Sequence, residues 1–197
     1  MKNKINLFYI LVFIYIIEFI VLAINPVDRI TWIAENTPVV IIVGLLIATY
    51  KKFKFSNLAY IFMFVFIYLH TIGGHYTFAN VPFGFITDLF GFERNHFDRI
   101  AHFTVGFYAY PFAELLARVY KIKYKFILFF FPLFFIISIA GIYEIIEWIY
   151  ADLAGGQSGI AFLGSQGDIW DAQKDMLADS LGALFSMGVY FAVRKRD

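Results

Sequence analysis

The chain has 197 residues, of which 61% are hydrophobic and only 16% are charged, and it contains 26 phenylalanines. A soluble domain of this length is nearer half apolar and a quarter charged, so the composition excludes an ordinary soluble protein. The net charge of +1 and the lack of a basic patch interleaved with aromatic residues argue against nucleic-acid binding. The absence of cysteine excludes disulfides, thiolate metal sites and cysteine nucleophiles.

Several stretches are apolar over about 20 residues, the length that crosses the hydrocarbon core of a bilayer. They predict an all-α, polytopic membrane protein with a single integral domain over residues 1–197. The six predicted spans are roughly 5–24, 31–50, 56–75, 97–119, 126–149 and 171–193. The first span follows Lys2 and Lys4, as a secretory signal would. It is longer than a signal core and lacks a small-residue cleavage site, so we interpret it as a retained helix.

Lysine and arginine are unequally distributed between the two sides of these spans. Twelve of the sixteen basic residues fall at the two termini and in the loops between spans two and three and spans four and five. The positive-inside rule makes that side cytoplasmic, which places both termini in the cytoplasm and Trp32, Trp148 and Trp170 at the outer interface. The twelve residues are Lys2, Lys4, Lys51, Lys52, Lys54, Arg118, Lys121, Lys123, Lys125, Arg194, Lys195 and Arg196.

Two outer connections have an unusual composition. Residues 76–95 are rich in phenylalanine and are broken by Pro82 and Gly84, which predicts a segment that lies in the headgroup region or folds over the bundle. Residues 151–170 hold five glycines around an apolar patch at 160–163. They predict a compact or re-entrant loop that is packed on protein.

The sixth span begins with a row of carboxylates. Asp171, Asp175 and Asp179 are four residues apart, so on a helix they lie along one face. Asp168 and Asp171 also suit capping and first-turn positions, where an acid favours the positive end of the helix dipole. Asp175 and Asp179 lie deeper, and a charge inside a membrane helix is costly and usually marks a cavity or a partner.

The fourth and fifth spans bring further polar groups to a similar depth from the same side. On the fourth span, Asp98 and His102 are four residues apart and Arg99 follows Asp98. On the fifth span, Glu144 and Glu147 are three residues apart. Asp98 and His102 share one face of their helix, and so do Glu144 and Glu147. All of these positions lie near the outer end of their helix, which predicts an outward-facing polar site within the membrane.

Several acids in one site cannot all stay ionised without cations, and three solutions stay open. They are ion pairs with Arg99 or Lys174, shared protons, or a bound divalent metal. Carboxylates with imidazole and no thiolate favour Mn, Fe, Zn or Mg. We interpret Glu18 and Glu35 as acids that reach the interface. The candidate metal ligands are Glu144, Glu147, Asp175, Asp179, His102 and His75, and the candidate catalytic residues are Glu144, Glu147, His102, Asp98 and Arg99.

Four segments carry a resemblance to a known family: GGHYTFANVPFG (73–84), GFERNHFDRIAHFTVGF (91–107), YEIIEW (143–148) and AFLGSQGDIWDAQKDMLADSLGA (161–183). They resemble the bacterial YjdF-like inner-membrane proteins over roughly residues 70–185. The resemblance implies a multi-pass protein of the bacterial cytoplasmic (inner) membrane, and it implies no particular reaction.

The chain is also similar, more remotely, to VanZ-like membrane proteins, which are associated with glycopeptide (teicoplanin) resistance. Their pattern is an Asp-Lys-x-x-His-Phe helix, a later Glu-x-x-Gln, and a final Asp-x-x-x-Asn-x-x-Gly helix. Arg99 here replaces Lys, Glu147 replaces Gln and Asp179 replaces Asn, which makes the site more acidic. This likeness implies a common helix arrangement and an envelope-related role. The matching positions are Asp98, Arg99, His102, Phe103, Glu144, Glu147, Asp175, Asp179 and Gly182.

Three functions are consistent with this pattern. We favour a site that binds a divalent metal or performs acid–base chemistry on an envelope lipid or lipid-linked substrate at the outer leaflet, with Arg99 holding an anionic group such as a phosphate. The second function is a proton- or cation-coupled transporter, which is disfavoured because the inner half offers only Glu114 paired with Arg118. The third is a non-catalytic membrane component whose polar core fixes helix packing.

Overall fold

A computed structural model describes residues 6–194, and every regular element in that range is helical. The prediction of an all-α protein is therefore confirmed. Lys2, Lys4, Lys195 and Arg196, which contribute to the predicted orientation, lie outside the described residues. The α-helices are α1 (Leu7–Leu22), α2 (Arg29–Thr49), α3 (Asn57–Tyr76), α4 (Gly84–Phe90), α5 (Phe97–Val105), α6 (Ala109–Arg118), α7 (Lys125–Ala154), α8 (Gly156–Leu163) and α9 (Asp171–Arg194), with 3₁₀ turns over Phe78–Asn80 and Gly106–Tyr108.

Four of the described helices, α2, α3, α7 and α9, are long and apolar enough to cross a membrane. They coincide with predicted spans two, three, five and six to within a few residues, so the protein is polytopic. The first predicted span corresponds to α1, a shorter apolar helix of 16 residues. α7 has 30 residues and is about 45 Å long. Since a bilayer core is about 30 Å thick, the helix extends beyond it.

The fourth predicted span, 97–119, is not one continuous α-helix. α5 ends at Val105, a 3₁₀ turn follows, and α6 begins at Ala109. The turn coincides with the place where this segment meets α9. A tightened turn within a helical run is a common response to a local constraint.

That constraint is a close contact between backbones. A Cβ atom at Gly106 would overlap the backbone of Gly182 in α9, and a Cβ at Gly182 would overlap the carbonyl of Phe103. Ser186 then donates a hydrogen bond from its hydroxyl to the Gly106 carbonyl over 3.0 Å. Small residues at membrane helix crossings allow such approach. α9 packs in this way against α5, α6 and α7, and it is the central helix of the bundle.

The connection over residues 76–95 folds partly over the bundle. Phe78 turns back so that its ring lies 5.2 Å from the His70 ring, and Val81 is buried. α4 follows and leaves Phe85 and Leu89 exposed. An amphipathic arrangement of this kind suits a segment at the level of the lipid headgroups.

The connection over residues 151–170 contains α8, a helix that the sequence analysis did not predict. Gly155 and Gly156 have positive φ angles of 61° and 53°, which lets the chain reverse between α7 and α8. α8 packs on α7 and α2. The ring of Phe162 lies 4.1 Å from the ring of Tyr150. The predicted compact, protein-packed connection is therefore present, with a helix inside it.

Glu114 organises the opposite end of the bundle. Its carboxylate accepts the backbone N–H of Ser56 over 2.9 Å and the Ser56 hydroxyl over 2.7 Å, at the start of α3. It also pairs with Arg118, which confirms the predicted i, i+4 pair. The Arg118 guanidinium donates in turn to the carbonyl of Lys54 over 2.8 Å. The Glu114 carboxylate therefore accepts two hydrogen bonds at the start of α3, and Arg118 neutralises its charge.

Candidate functional site

α5 is held at its outer end by Asn95. The Asn95 side chain accepts the N–H of Phe97 over 2.9 Å and donates to the carbonyls of Ala79 and Val81 over 3.1 and 2.8 Å. Its backbone N–H and carbonyl bind the side-chain amide of Gln166 over 2.9 and 3.0 Å. One asparagine therefore joins α5 to both outer connections and fixes where α5 meets the start of α9.

α5 and α9 pack with their polar faces toward each other. Asp98 and His102 lie on one face of α5, and Asp171, Asp175 and Asp179 lie on one face of α9, as their spacing predicts. All five side chains are buried, and Asp179 is only 1% exposed. A buried charge is costly unless it is paired or bound by a cation, so the partners of these acids define the site.

Two arginines neutralise the outer half of the carboxylate row. Arg94 Nη1 lies 2.5 Å from Asp171 Oδ1 and 3.4 Å from Asp168 Oδ2. Arg99 contacts Asp171 through Nη2 and Asp175 through Nη1. The guanidinium fork is suited to such double contacts. Both terminal nitrogens of Arg99 are thereby engaged by carboxylates of this chain.

His102 lies among three carboxylates in the deeper half of the cluster. Its Nδ1 is 3.3 Å from Asp179 Oδ2, and its Nε2 is 3.6 Å from Asp98 Oδ1 and 3.8 Å from Asp175 Oδ1. The ligand atoms of Asp98, His102 and Asp175 all lie within 4.8 Å of one another, a spacing that can hold a metal ion. Asp179, on the other ring nitrogen, has the position of a carboxylate that orients a metal-bound histidine.

The cluster contains more negative than positive groups. Its four aspartates on α5 and α9 are offset by two arginines, so even a protonated His102 leaves a surplus of one negative charge. Oδ1 of Asp179 is buried and has no hydrogen-bond partner among the described residues. A bound cation or retained protons would balance this surplus.

A cavity of about 290 Å³ lies directly beside the cluster. Asp98, His102 and Asp179 form part of its wall, and Glu147 contributes to it from α7. Most of the remaining wall is apolar, so the cavity has polar groups set in an apolar surface. The apolar lining includes Pro38, Ile42, Phe66, Val105, Phe135, Ile136 and Ile139.

Glu144 and Glu147 lie on cavity walls rather than inside the ion-pair cluster. Glu147 lines the first cavity and shares with Glu144 a second cavity of about 330 Å³, which Asp168 and Asp171 also bound. Both glutamates are half-buried. Oε1 of Glu144 is buried without a hydrogen-bond partner in the described part of the chain. The structure therefore brings both residues to the edge of the site without direct contact to His102.

His75, the remaining predicted ligand, lies elsewhere. Its Nδ1 is 2.7 Å from the carbonyl of Leu22 at the end of α1, and its own carbonyl accepts the N–H of Val27 over 3.0 Å. It thus joins α3 to the connection between α1 and α2. The histidine of α3 that lines the cavity is His70.

Asp168 supplies a fixed negative charge just before α9. Its carboxylate accepts Lys174 Nζ over 2.6 Å and the N–H of Trp170 over 3.1 Å. These hydrogen bonds, that of Lys174 first, hold the pKa of Asp168 below its usual value. Asp168 is therefore ionised at neutral pH, where Arg94 and Arg99 also approach it.

Comparison with known proteins places this arrangement in a family. Residues 7–196 match the family described as "Predicted membrane protein (DUF2238)". The chain belongs to this family. It is 40% identical over 159 residues to the "Inner membrane protein YjdF" of Escherichia coli (strain K12), a match that covers 80% of this chain and 76% of that protein. No solved structure matches the chain.

The resemblance to YjdF-like proteins is thus confirmed, and the protein is a multi-pass protein of the inner membrane. The more remote likeness to VanZ-like proteins stays a prediction. The family description and the relative's name state a location and no reaction.

Sequence reasoning missed a second polar group in the cavity of this DUF2238 protein. Glu35 on α2 is only 1% exposed, although it was interpreted as interfacial. Its Oε2 accepts the hydroxyl of Tyr143 over 2.9 Å and lies 3.1 Å from Nε2 of His70. The signal for Glu35 was its place inside the second predicted span, where an acid is rarely tolerated without partners.

Arg94 was also missed. It precedes α5 in a connection, where basic residues are ordinarily solvated. The signal that could have found it is its four-residue spacing to Asp98, which it approaches to 4.0 Å. Its side chain is 12% exposed, which fits a member of the buried cluster.

Proposed function

We propose that the protein binds a divalent cation at Asp98, His102 and Asp175, and that this centre acts on a lipid or lipid-linked envelope substrate held in the adjoining cavity. The observation that carries the proposal is three mutually close ligand atoms beside a cavity with mostly apolar walls. The surplus negative charge of the cluster supports it. Carboxylate and imidazole ligands without thiolate favour Mn, Fe, Zn or Mg.

The residues around the centre have separate roles in this proposal. Asp179 accepts the Nδ1 proton of His102 and so directs the unprotonated Nε2 toward Asp98 and Asp175. Arg99 fixes Asp175 in place through its own ion pair. A bound cation would polarise an oxygen of the substrate or lower the pKa of a bound water. Glu147, across the cavity, is positioned to exchange a proton with the bound molecule.

We further propose that the site faces the outer leaflet. In this topology the bundle crosses the membrane six times, with α5 and α6 together forming the fourth crossing, and both termini lie in the cytoplasm. The basic residues around Lys54, Arg118 and Lys123 support this orientation, because they gather at the end of the bundle opposite the cluster. The whole chain then acts as a single membrane domain.

A non-catalytic role is favoured by one specific observation for part of the cluster. Arg94 and Arg99 form ion pairs with Asp168 and Asp171, which link the start of α5 to the start of α9. This outer half fits a structural clamp. Transport has less support, because the cavity wall on the cytoplasmic side of His102 is aromatic or aliphatic at Phe66, Val105, Tyr108, Phe135 and Ile136.

Metal analysis tests the proposed function. The full-length protein, purified in detergent and equilibrated with Mn²⁺, Fe²⁺, Zn²⁺ or Mg²⁺ in turn, should retain about one equivalent of one of them by elemental mass spectrometry. His102→Ala should abolish retention, and Asp179→Asn should weaken affinity about 10–100-fold, because it orients a ligand without binding the metal.

His75→Ala is the matched control, since His75 binds the Leu22 carbonyl away from the cluster, and it should retain the metal. Folding of each variant is checked by circular dichroism and gel filtration. Retention that is unchanged in folded His102→Ala, or no retention of any of these metals by the native protein, would contradict the proposal.

A further inference from the structure

Glu35, His70 and Tyr143 form a second polar group on the wall of the same cavity. They come from three helices, α2, α3 and α7, and meet at one carboxylate oxygen of Glu35. Glu35 and His70 are 1% and 6% exposed, so this group is as deeply buried as the aspartate cluster. Burying the Glu35 carboxylate is costly, even with partners from two other helices. Because the group lines a cavity, it is accessible to a bound molecule.

The cavity also adjoins the lipid between two helices that are not closely packed on each other. α2 packs on α3 and α8, whereas α7 packs on α6, α8 and α9, within the described range. Pro38 and Ile42 of α2 and Phe135 and Ile139 of α7 line the cavity. Phe135 and Ile139 are also 45% and 40% exposed. The cavity therefore has an apolar side opening between α2 and α7.

The hydrogen bond from Tyr143 to Glu35 crosses this opening, because it joins α7 to α2. α8 closes the opening on its outer side, where it packs on both helices. A molecule that passes between α2 and α7 would thus keep its apolar chain along Ile42 and Ile139 and present its polar end to Glu35. That is the shape of an amphipathic lipid.

The chemistry of the polar group restricts the headgroup. A carboxylate, an imidazole and a phenol all hydrogen-bond readily to hydroxyl groups. A phosphate is disfavoured directly against Glu35, whose carboxylate is not a ligand of the proposed cation, because like charges in a space of low dielectric repel strongly. The polar group therefore matches an uncharged headgroup that carries hydroxyls.

We infer that Glu35, His70 and Tyr143 form a lipid-headgroup site, and that this site binds an uncharged, hydroxyl-bearing lipid which enters from the bilayer between α2 and α7. The inference rests on the proposed function in one respect, the role of the cavity as the place where the substrate is held. It adds the substrate class, its route and three residues that recognise it.

Photolabelling of the full-length protein in vesicles of phosphatidylethanolamine and phosphatidylglycerol tests the inference. The probe is dioleoylglycerol with a diazirine in one acyl chain, and the comparison probe is the matching phosphatidic acid. Mass spectrometry should place the dioleoylglycerol label on residues 38–42 of α2 and 135–139 of α7. Glu35→Ala should lower this label at least about fivefold, the effect of losing one hydrogen bond.

A second pair of variants tests the route without touching the polar group. Ile42→Trp fills the opening and should lower the label several-fold, whereas Ile41→Trp, at a neighbouring residue that is 56% exposed and does not line the cavity, should leave it unchanged. Equal label in folded Glu35→Ala and native protein, equal label in the two tryptophan variants, or equal label from phosphatidic acid would overturn the inference.

The same labelling is repeated after chelation with EDTA and in His102→Ala. If the native protein retains no metal but is still labelled by the lipid, the proposed metal function is contradicted and this inference stands. Metal that is retained without site-specific lipid label would contradict this inference and leave the proposed metal function standing. If Glu35→Ala does not fold, the Ile41 and Ile42 variants and the two probes decide the question.

Discussion

At the scale of single residues, the carboxylate row of α9 divides into two parts with different chemistry. Asp171 is matched by Arg94 and Arg99, which leaves it no further role than holding α5 against α9. Among the described residues, the Asp179 carboxylate pairs with the ring of His102 and keeps one buried oxygen without a hydrogen-bond partner. Asp175 lies between the two parts and contacts both Arg99 and His102. The row is thus paired with arginines at its N-terminal end and keeps an unpaired carboxylate oxygen at its C-terminal end.

Arg99→Ala should strongly destabilise the protein. It would leave Asp175 and Asp171 buried with less compensation, and removing one partner of a buried pair typically costs about 3–5 kcal/mol. Lys174→Ala is the matched comparison, because Lys174 also binds an aspartate but its side chain is 52% exposed. That change should cost no more than about 1 kcal/mol. The measurement is the free energy of unfolding in mixed detergent micelles.

Equal costs for the two changes would show that burial of Arg99 carries no energetic weight. Arg99→Lys offers a further comparison. A lysine has a single charged nitrogen in place of the guanidinium fork, so it can form an ion pair with Asp171 or with Asp175 but not a separate contact with each. Its stability should fall between that of Arg99→Ala and that of the native protein.

The residue pattern predicted which acids share a face but not which groups meet them. The four-residue spacing of Asp171, Asp175 and Asp179 fixes their common face on any helix, and the structure has it. The approach of Arg94 depends on the turn at Asn95 and on the reach of a long side chain, and neither is encoded in spacing. The partners of Glu35 come from α3 and α7, so they become visible only when those helices are packed.

At the scale of the elements, the site depends on the crossing of α5 and α9 at small residues. Gly106 and Gly182 let the two backbones touch, which brings Asp98 and Asp175 within reach of the same histidine, His102. The same contact ends α5 at Val105. Hydropathy predicts one span over residues 97–119, because the segment is apolar on average despite its few charged residues. The 3₁₀ turn lies where α5 meets α9, and its local signals are Gly106 and Pro111, which lacks the N–H for a bond to the carbonyl of Phe107.

Gly182→Ala should disrupt this crossing. The added methyl group would meet the carbonyl of Phe103, a backbone atom that cannot rotate away, and overpacking of this kind costs about 1–3 kcal/mol or more. Gly188→Ala is the control on the same helix, because nothing lies within 4 Å of a Cβ there. It should be neutral or stabilising by up to about 1 kcal/mol, since alanine favours helix more than glycine.

Thermal unfolding followed by tryptophan fluorescence measures both changes, and metal retention reports whether the site survives. If Gly182→Ala is as stable as Gly188→Ala, the backbone contact between α5 and α9 is looser than the structure has it. If it folds yet loses the metal, the crossing positions the ligands as argued.

At the scale of the whole molecule, polarity is divided between the two ends of the bundle. Carboxylates, histidines and two buried arginines gather at one end, and Glu114 and Arg118, with lysines around them, gather at the other. Four of the predicted spans and the uneven distribution of charge between the two ends were predictable, because they follow from composition along single segments. The cavity, its side opening and α8 were not, because they are properties of how separate helices pack.

The proposed orientation can be tested directly, because the chain contains no cysteine and each introduced thiol is therefore unique. Asp88→Cys in the connection before α5 and Lys123→Cys in the connection before α7 are both at exposed positions. In intact spheroplasts, a membrane-impermeant maleimide should label Asp88→Cys and not Lys123→Cys, and both should react after the membrane is permeabilised. The positive-inside rule requires this order, since the basic connections stay in the cytoplasm. The reverse pattern would put the carboxylate–histidine site on the cytoplasmic side, and equal labelling of both thiols in intact spheroplasts would mean an even number of crossings between them. The reverse pattern would exclude an outer-leaflet substrate, and equal labelling would contradict the six-crossing topology. The metal and lipid tests would stand unchanged in either case.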